Sequence, residues 1–256
     1  MPDTTSLLDD RVVLITGAGR GAGAGMARRL AARGARVAIN YAASGAAAAA
    51  VVAEIREAGG VASAFRADVL DADAVAGMIA AVETEFGRVD AVVNNAVAGD
   101  QQVDFDDATP AHFTQMLDYA CRAVVNTTKA ALPAFGRAGG GRIVNVVSDF
   151  WNEAPGGWSP YVAAKGAMVG LSRSLASELG PRGVTVNMVA PGWMIADAAD
   201  EASADSVAFA QTLPLRRRAR PEDVGDVIAF YVSDLAGAVT GAYVLVDGGR
   251  LTPTGG

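Results

Sequence analysis

The sequence is poor in several residue types that define whole classes of protein. Its 256 residues include one cysteine, Cys121, and one histidine, His112, which rules out a disulfide scaffold and a histidine-rich metal site. Lysine occurs only at positions 129 and 165. The formal net charge is -7, so the basic surface that a sequence-independent nucleic-acid binder needs is missing. We therefore expect no metal and no nucleic-acid partner.

Long apolar runs are missing as well. The longest stretch of this kind, 46–53, is mostly alanine and is far shorter than the roughly 18 residues of a membrane-spanning helix. The first ten residues carry three aspartates and lack the basic flank of a secretory signal. These absences predict a cytoplasmic protein with no membrane partner. The apolar content of 51%, by contrast, is enough for a large buried core and excludes disorder.

Short apolar strands alternate with segments of helical spacing along the whole chain. Strands are predicted at 11–16, 36–41, 61–67, 89–93, 142–147, 184–190 and 243–246. Helices are predicted at 23–33, 43–58, 71–86, 110–135, 161–179 and 221–231. Strands that are apolar on both faces and alternate with helices are typical of a covered parallel sheet. No linker divides the chain, so we predict one α/β domain over 1–256, a doubly wound, Rossmann-type sheet of about seven strands flanked by helices.

Ligands of such sheets bind beyond the carboxyl ends of the strands, which directs attention to the segments that follow them. The first such segment is a glycine-rich turn between a strand and a helix, and its candidate cofactor residues are Gly17, Arg20, Gly21, Ala22 and Gly23. Glycine lets the backbone approach a pyrophosphate, whose charge then lies at the helix amino end. The alternative is an ordinary strand–helix turn, because the chain contains 30 glycines.

The end of the second strand discriminates between the two nicotinamide dinucleotides. Asn40, Tyr41 and Ser44 stand where an acid would bind the ribose 2′-hydroxyl of NAD(H). Without that carboxylate a 2′-phosphate is not repelled, and Arg20 offers it a cation. The sequence therefore predicts NADP(H) as cofactor, with NAD(H) less favoured. A merely solvated Arg20 is the alternative, because exposed arginine is common.

Tyr161 and Lys165 are spaced i, i+4 on a predicted helix and so share one face. A lysine cation near a phenol favours the phenolate and lowers its pKa, which predicts Tyr161 to be a general acid or base. Ser148 follows the fifth strand and is placed to hydrogen-bond a substrate carbonyl. A chance Tyr-x-x-x-Lys has a probability of about 4% in a chain of this composition. An ordinary surface pair is the alternative.

These motifs resemble the short-chain dehydrogenase/reductase family, in particular its ketone reductases similar to 3-oxoacyl-carrier-protein reductase. The resemblance also rests on Asp68-Val69, Asn94-Asn95-Ala96, Pro191-Gly192, Thr240-Gly241 and Asp247-Gly248-Gly249. It implies that Tyr161 transfers a proton, Lys165 holds the nicotinamide ribose and Ser148 orients the carbonyl. It also implies a homotetramer. Further cofactor contacts are expected from Asp68, Val69, Asn94, Ala96, Pro191, Gly192 and Met194, beside Tyr161 and Lys165.

The chain departs from the family's pattern near these motifs. Ala120 stands where an asparagine of the family helps to hold a water in a proton relay, so we expect a rerouted path through Asn152, Tyr119 or bulk water. Three further departures concern neighbouring positions of the site, at Val97, Val147 and Ala196. Ala120 and Ala196 leave open a second hypothesis, a cofactor-binding sensor or partner protein with impaired catalysis. A nucleotide-sugar epimerase or dehydratase is a third, but that class usually needs a longer chain.

Aromatic residues follow several predicted strands and suggest the kind of substrate. The candidate pocket residues are Phe150, Trp151, Trp158, Trp193 and Phe209. They predict a bulky apolar or aromatic carbonyl compound, or the matching secondary alcohol. The segment 196–213 resembles the family's substrate lid. For each tryptophan, packing of the lid or of a subunit interface is the alternative.

Three other features have plainer interpretations. His112 is expected to be a solvated or capping residue near the start of the long helix, with Thr109 as its N-cap. Cys121 is expected to be buried packing. The arginines of 216–220 lie close to acids in the sequence and are interpreted as a balanced surface.

Overall fold

The computed structural model describes residues 7–97 and 102–251. Its strands form one parallel seven-stranded sheet in the order β3-β2-β1-β4-β5-β6-β7. In chain order they are β1 (Val12–Ile15), β2 (Arg36–Tyr41), β3 (Val61–Arg66), β4 (Ala91–Asn94), β5 (Gly141–Val146), β6 (Val184–Pro191) and β7 (Tyr243–Val246). The chain therefore moves outward from β1 to β3, then returns to pair β4 with the other side of β1. That reversal is the switch point of a doubly wound sheet.

Helices cover both faces of the sheet. They are α1 (Gly21–Ala32), α2 (Gly45–Glu57), α3 (Ala72–Phe86), α4 (Pro110–Leu117), α5 (Ala123–Ala138), α6 (Phe150–Glu153), α7 (Ser159–Leu179), α8 (Ala198–Ala202), α9 (Ala204–Thr212) and α10 (Pro221–Val232). α1, α2 and α10 pack on one face, and α3, α5 and α7 pack on the other. The predicted three-layer α/β fold is confirmed.

The alternation of side chains along β1 shows why both faces must be covered. Val13 and Ile15 pack into the core beneath α1 and α10. Val12 and Leu14 point the other way, into the core beneath α3 and α5. All four are completely buried. A strand that is apolar at every position is stable only between two helical layers.

The long helix predicted at 110–135 is interrupted by a π-helical turn. α4 and α5 are joined by this turn at Asp118–Arg122, and the path continues to Ala138. Ala120 is buried in the turn, and Cys121 beside it is half-buried, which raises the pKa of its thiol. The buried residues Met116, Ala120 and Val124 are spaced by four across the turn, which an uninterrupted α-helix also allows, so the sequence pattern does not reveal it. The start is as predicted, because the backbone N–H of Thr109 donates to Nδ1 of His112 at 3.0 Å.

Three short helices were not predicted, α6 after β5 and α8 and α9 within 196–213. Each follows the carboxyl end of a strand, where local capping decides the structure. Asp197 caps α8 by accepting the N–H of Asp200, and Ser203 caps α9 by accepting the N–H of Ser206. Within the described ranges, no helix is both long and apolar enough to cross a membrane.

Candidate active site

The glycine-rich turn after β1 is tied to the neighbouring strand by hydrogen bonds. The hydroxyl of Thr16 accepts the N–H groups of Asn95 and Ala96 at 2.9 and 3.0 Å. The Asn95 amide donates to the Thr16 carbonyl at 2.9 Å. Gly17 has φ +65°, and a Cβ at Gly23 would lie 2.6 Å from the Gly17 carbonyl oxygen. Any side chain at position 23 would therefore force the turn open.

Asn40 supports this turn from inside the molecule. Its side-chain oxygen accepts the N–H of Gly17 at 3.2 Å, and its amide nitrogen donates to the carbonyl of Ala67 at 2.9 Å. The residue is only 2% exposed. Asn40 borders the space in front of the turn, but its polar groups are already engaged by the backbone. It therefore supports the shape of the turn, and that its side chain contacts a cofactor stays a prediction.

A cleft of about 520 Å³ opens in front of the turn. It brings together most of the predicted cofactor residues: Gly17, Arg20, Gly21, Ala22, Gly23, Asn40, Tyr41, Ser44, Asp68, Val69 and Ala96. Its size lies within the range of small-molecule and cofactor sites. The turn leaves no room for a Cβ at position 23, so its backbone can approach a phosphate closely. The cleft therefore fits the adenosine and pyrophosphate part of a dinucleotide.

Asn94 does not face this cleft, and the prediction that it lines it is wrong. Its amide nitrogen donates to the side chain of Asn145 at 2.8 Å, and its oxygen accepts from the Thr127 hydroxyl at 2.7 Å. Asn94 is 4% exposed and links β4 to β5 and α5 inside the core. In a parallel sheet, alternate residues face opposite sides, so Asn95 takes the position facing the turn.

The cofactor residues predicted after β6 lie at a separate part of the sheet edge. Gly192 packs against Asp247 and the carboxylate of Asp149. The carbonyl of Met194 accepts a hydrogen bond from Arg218 at 2.5 Å. Pro191 is the last residue of β6 and is paired with Val246. These residues border the region where Ser148 follows β5, away from the adenosine side of the cleft.

Arg66 is a second cation beside the end of β2 that sequence reasoning missed. It pairs in register with Tyr41, and its Nε donates to the Ala42 carbonyl at 3.3 Å. The side chain is exposed. The sequence contains an indication of this cation, because Arg66 lies near the end of the predicted strand 61–67, and ligands bind at the carboxyl ends of such strands.

Ser148, Tyr161 and Lys165 meet at the carboxyl end of β5. Lys165 is 7% exposed, donates from Nζ to the Val146 carbonyl at 2.8 Å, and lies 5.5 Å from the centre of the Tyr161 ring. Burial lowers the pKa of Lys165 to about 8. Burial also raises the pKa of Tyr161 to about 12, against a smaller lowering by its hydrogen bond with Ser148.

The predicted lowering of the Tyr161 pKa by Lys165 is therefore wrong for this structure. The ammonium is engaged by the Val146 carbonyl, and desolvation of the phenolate dominates. At neutral pH Tyr161 is a phenol and can donate a proton. The geometric part of the prediction, that one helix face brings the two side chains together, is confirmed.

A water-sized cavity of about 10 Å³ lies beside Lys165 and Tyr161. Ala120 and Tyr119 line it, so the expected relay route through Tyr119 reaches this cavity. Asn152, the second, is engaged elsewhere, because its side-chain oxygen accepts from the Tyr243 hydroxyl at 2.5 Å.

The predicted aromatic pocket residues form three separate groups. Phe150, Trp158 and Tyr161 pack edge to face, with ring centres 5.1 to 6.3 Å apart. Trp193 and Phe209 pack together at 5.1 Å. Trp151 lies over Gly166 of α7, where a Cβ would be 2.5 Å from its ring, and is 42% exposed. Trp151 thus packs on a helix surface apart from the other aromatic residues.

Arg218 is buried, which corrects the interpretation of the arginine cluster as surface. It is 2% exposed and stacks on Trp193 at 3.8 Å. Its guanidinium donates to Asp200 at 2.9 Å and to the Ser206 hydroxyl at 2.7 Å. Arg217 and Arg220 do form exposed ion pairs, with Asp223 and Glu201. Because these positions are all arginine, the sequence contains no apolar pattern that would show which of them is buried.

A glycine turn at the switch point of a parallel sheet, with a half-buried tyrosine and a buried lysine at the end of β5, is typical of a nucleotide-dependent oxidoreductase. Known proteins make the class more specific. Residues 17–250 match the family model described as Enoyl-(Acyl carrier protein) reductase. The chain belongs to the short-chain dehydrogenase/reductase family and is an NAD(P)-dependent enzyme acting on CH–OH or C=O groups.

Relatives and solved structures support this assignment over nearly the whole chain. The 3-oxoacyl-[acyl-carrier-protein] reductase FabG of Staphylococcus aureus is 38% identical over 244 residues, 92% of this chain and 96% of that protein. An uncharacterized oxidoreductase of Methylorubrum extorquens is 37% identical over 95% of this chain and 99% of that protein. A Burkholderia cenocepacia short-chain dehydrogenase in complex with NADP has a TM-score of 0.84 at 36% identity, covering 95% of this chain and 99% of that one.

Proposed function

We propose that this enzyme reduces a ketone, or oxidises the matching secondary alcohol, with NADP(H) as cofactor. Tyr161 passes the proton, Lys165 holds the nicotinamide ribose and Ser148 orients the carbonyl. The observation that carries the proposal is the group formed by buried Ser148, buried Lys165 and half-buried Tyr161 beside the glycine-lined cleft. A non-catalytic binding protein would have no use for a phenol placed between this serine and this lysine.

The cofactor would be held by the chain's own groups at both ends of the cleft. The glycine turn and the amino end of α1 would face the pyrophosphate, and Asp68 and Val69 the adenine. When bound, the nicotinamide supplies the hydride to the carbonyl carbon. The phenol of Tyr161, which keeps its proton at neutral pH, then protonates the carbonyl oxygen. This protonation state fits Tyr161 as the proton donor of the reduction.

A bulky apolar or aromatic small molecule is the proposed substrate. Phe150 and Trp158 border Tyr161, while Trp193, in the segment after β6, packs against Phe209 of α9. We propose that 196–213 acts as the lid over this pocket. A net charge of -7 disfavours an acidic carrier protein as an obligatory partner. The homotetramer and the cytoplasmic location remain predictions.

The first test is a pair of titrations and a substrate screen. Tryptophan fluorescence of the purified protein is followed during addition of NADPH and, separately, of NADH. We expect tighter binding of NADPH, and then oxidation of NADPH with aryl ketones faster than with short aliphatic ketones. Binding of neither cofactor, or binding without turnover on any carbonyl in the screen, would contradict the proposed activity. Tighter NADH binding would overturn the cofactor assignment alone.

Arg20→Ala is expected to weaken NADPH binding about tenfold and to leave NADH binding unchanged. The reason is that one charge-assisted hydrogen bond to a 2′-phosphate contributes about 1.5 kcal/mol or more. The dissociation constants are measured by the same fluorescence titration. Arg28→Ala is the matched control, because Arg28 lies on α1, the helix that begins directly after Arg20, and pairs with Glu54. Equal weakening of both cofactors by Arg20→Ala would place the arginine outside the 2′-phosphate site.

A further inference from the structure

A buried carboxylate lies directly behind Ser148. Asp149 is 1% exposed, and its Oδ1 is 3.4 Å from the Ser148 hydroxyl. Its Oδ2 is 3.4 Å from the guanidinium of Arg250, which also pairs with Glu153 of α6. The proposed reaction uses Ser148 but gives no role to this carboxylate. Burial of a carboxylate costs free energy, so a carboxylate buried this deeply is expected to have a structural or functional role.

The hydrogen bonds around Ser148 have a defined direction. Its oxygen accepts the backbone N–H of Phe150 at 3.2 Å. While Asp149 is ionised it only accepts, and the Ser148 hydroxyl donates to it. Once Asp149 is protonated, its carboxyl can donate to the Ser148 oxygen, and the Ser148 hydroxyl is then free to donate to the Tyr161 oxygen. A hydrogen bond from Ser148 favours the phenolate, and it lowers the pKa of Tyr161. The donors of the protonated cluster therefore run from Asp149 through Ser148 to Tyr161.

The turn that carries this chain is fixed from the other side by the last strand. The Tyr243 hydroxyl donates to the carbonyl of Ser148 at 3.1 Å, and it also reaches Asn152. The separation of 3.4 Å between Ser148 and Asp149 is long for a hydroxyl–carboxylate bond. Such bonds often shorten when the substrate binds. The backbone is thus held while the two side chains remain free to approach.

The charged groups around Asp149 place its titration in the neutral range. Burial raises the pKa of Asp149 to about 6, Arg250 opposes this, and Glu153 and Asp247 add to it. Tyr243 and Tyr161 face the same carboxylate from β7 and α7, and its charge raises the pKa of both. Asp149 therefore changes its protonation state at pH values where Tyr161 keeps its proton.

We propose that Asp149, acting through Ser148, is the positioning residue that returns a proton to Tyr161 after each reduction. The inference rests on the proposed function. As hydride reaches the carbonyl carbon, the carbonyl oxygen takes the Tyr161 hydroxyl proton. The Tyr161 oxygen takes the proton of Ser148, and the Ser148 oxygen takes that of the Asp149 carboxyl. Water then reprotonates the Asp149 carboxylate, which balances the cycle.

The direction of this transfer agrees with reduction. The proton moves from a group with a pKa of about 6 to one with a pKa of about 12, which is downhill. In oxidation the same path would run uphill. Asp149 must be protonated to act, so kcat for reduction is expected to fall as the pH rises through about 6.

Three variants of this cluster test the relay through the pH profile of kcat. Asp149→Asn keeps the size but loses the acid, so the pH-dependent fall should disappear and kcat at pH 5.5 should drop by about tenfold or more, with KM little changed. Glu153→Gln removes a neighbouring negative charge and should move the midpoint to lower pH. Arg250→Gln removes the cation and should move it to higher pH. Opposite shifts by two charge changes are not expected from a merely structural role.

A second readout does not depend on turnover. In the cofactor-free protein labelled with carboxyl-¹³C aspartate, one NMR resonance should titrate near pH 6 and be missing in Asp149→Asn. A midpoint in the ordinary aspartate range would overturn the proposal. So would wild-type kcat and an unchanged pH profile in Asp149→Asn. If that variant does not fold, the Glu153 and Arg250 variants decide, because Asp149 remains in both. Wild-type turnover by Tyr161→Phe would instead contradict the proposed function.

Discussion

Replacement of Tyr161 by phenylalanine is expected to lower kcat for carbonyl reduction by about 10³-fold. The phenylalanine ring keeps the edge-to-face contacts with Phe150 and Trp158, so the pocket should remain packed. Only the hydroxyl that protonates the substrate oxygen is lost. NADPH binding, measured by tryptophan fluorescence, should stay within about threefold of the wild type, which separates loss of chemistry from loss of cofactor.

Tyr119→Phe is the matched control for this variant. Tyr119 borders the small cavity beside Lys165 and Tyr161, and its phenol is also half-buried. If the proton passes through Ser148, removal of the Tyr119 hydroxyl should change kcat by less than about threefold. Equal losses in the two variants would mean that Tyr119 takes part in proton transfer. Full activity in Tyr161→Phe would remove Tyr161 from the mechanism.

Arg218→Met is expected to cause the largest loss of stability among single substitutions near the site. Methionine fills much of the space but leaves the carbonyls of Trp193 and Met194 without their donor, together with Asp200 and Ser206. Breaking a buried, hydrogen-bonded ion pair of this kind costs about 3 kcal/mol. Urea unfolding measures the loss in free energy, and limited proteolysis within 196–213 should become faster.

Arg217→Met provides the comparison, because Arg217 is the adjacent residue and pairs with Asp223 at the surface. Its side chain is 56% exposed, and such pairs contribute less than about 1 kcal/mol. Similar losses of unfolding free energy for the two variants would show that the buried contacts of Arg218 contribute no more to stability than a surface ion pair. A loss confined to Arg218→Met would show that one guanidinium holds the segment after β6 to α8 and α9.

Much of the fold could be predicted because it follows from local pattern. The seven strands, their alternation with helices and the cap at Thr109 depend on apolar period and on residue types within a few positions. The meeting of Tyr161 with Lys165 follows from helical spacing alone. The π turn at 118–122 could not be found in this way, because the buried positions 116, 120 and 124 keep a spacing that an uninterrupted α-helix also allows.

The parts of the site that the sequence did not reveal depend on tertiary contacts. The pKa of Tyr161 is set by burial, and the sequence showed only that a lysine was near. Arg218 and Asn94 have polar side chains that are satisfied inside the core by groups distant in sequence. Trp151 packs on α7 because Gly166 leaves room for its ring. These contacts join residues that are distant in sequence, so rules based on residue spacing do not predict them.

The position of Asn40 limits how the cofactor preference of this enzyme can be re-engineered. An acid at the end of β2 is the obvious route toward NAD(H), but aspartate at position 40 would replace the amide that donates to the carbonyl of Ala67 with an acceptor. Two oxygens would then face each other in a buried place, while the bond from Gly17 could persist. The glycine turn would lose part of its support in the same step that changed the nucleotide contact. Selection for a new cofactor would therefore reach Tyr41 first, where the side chain is half-exposed and borders the cleft.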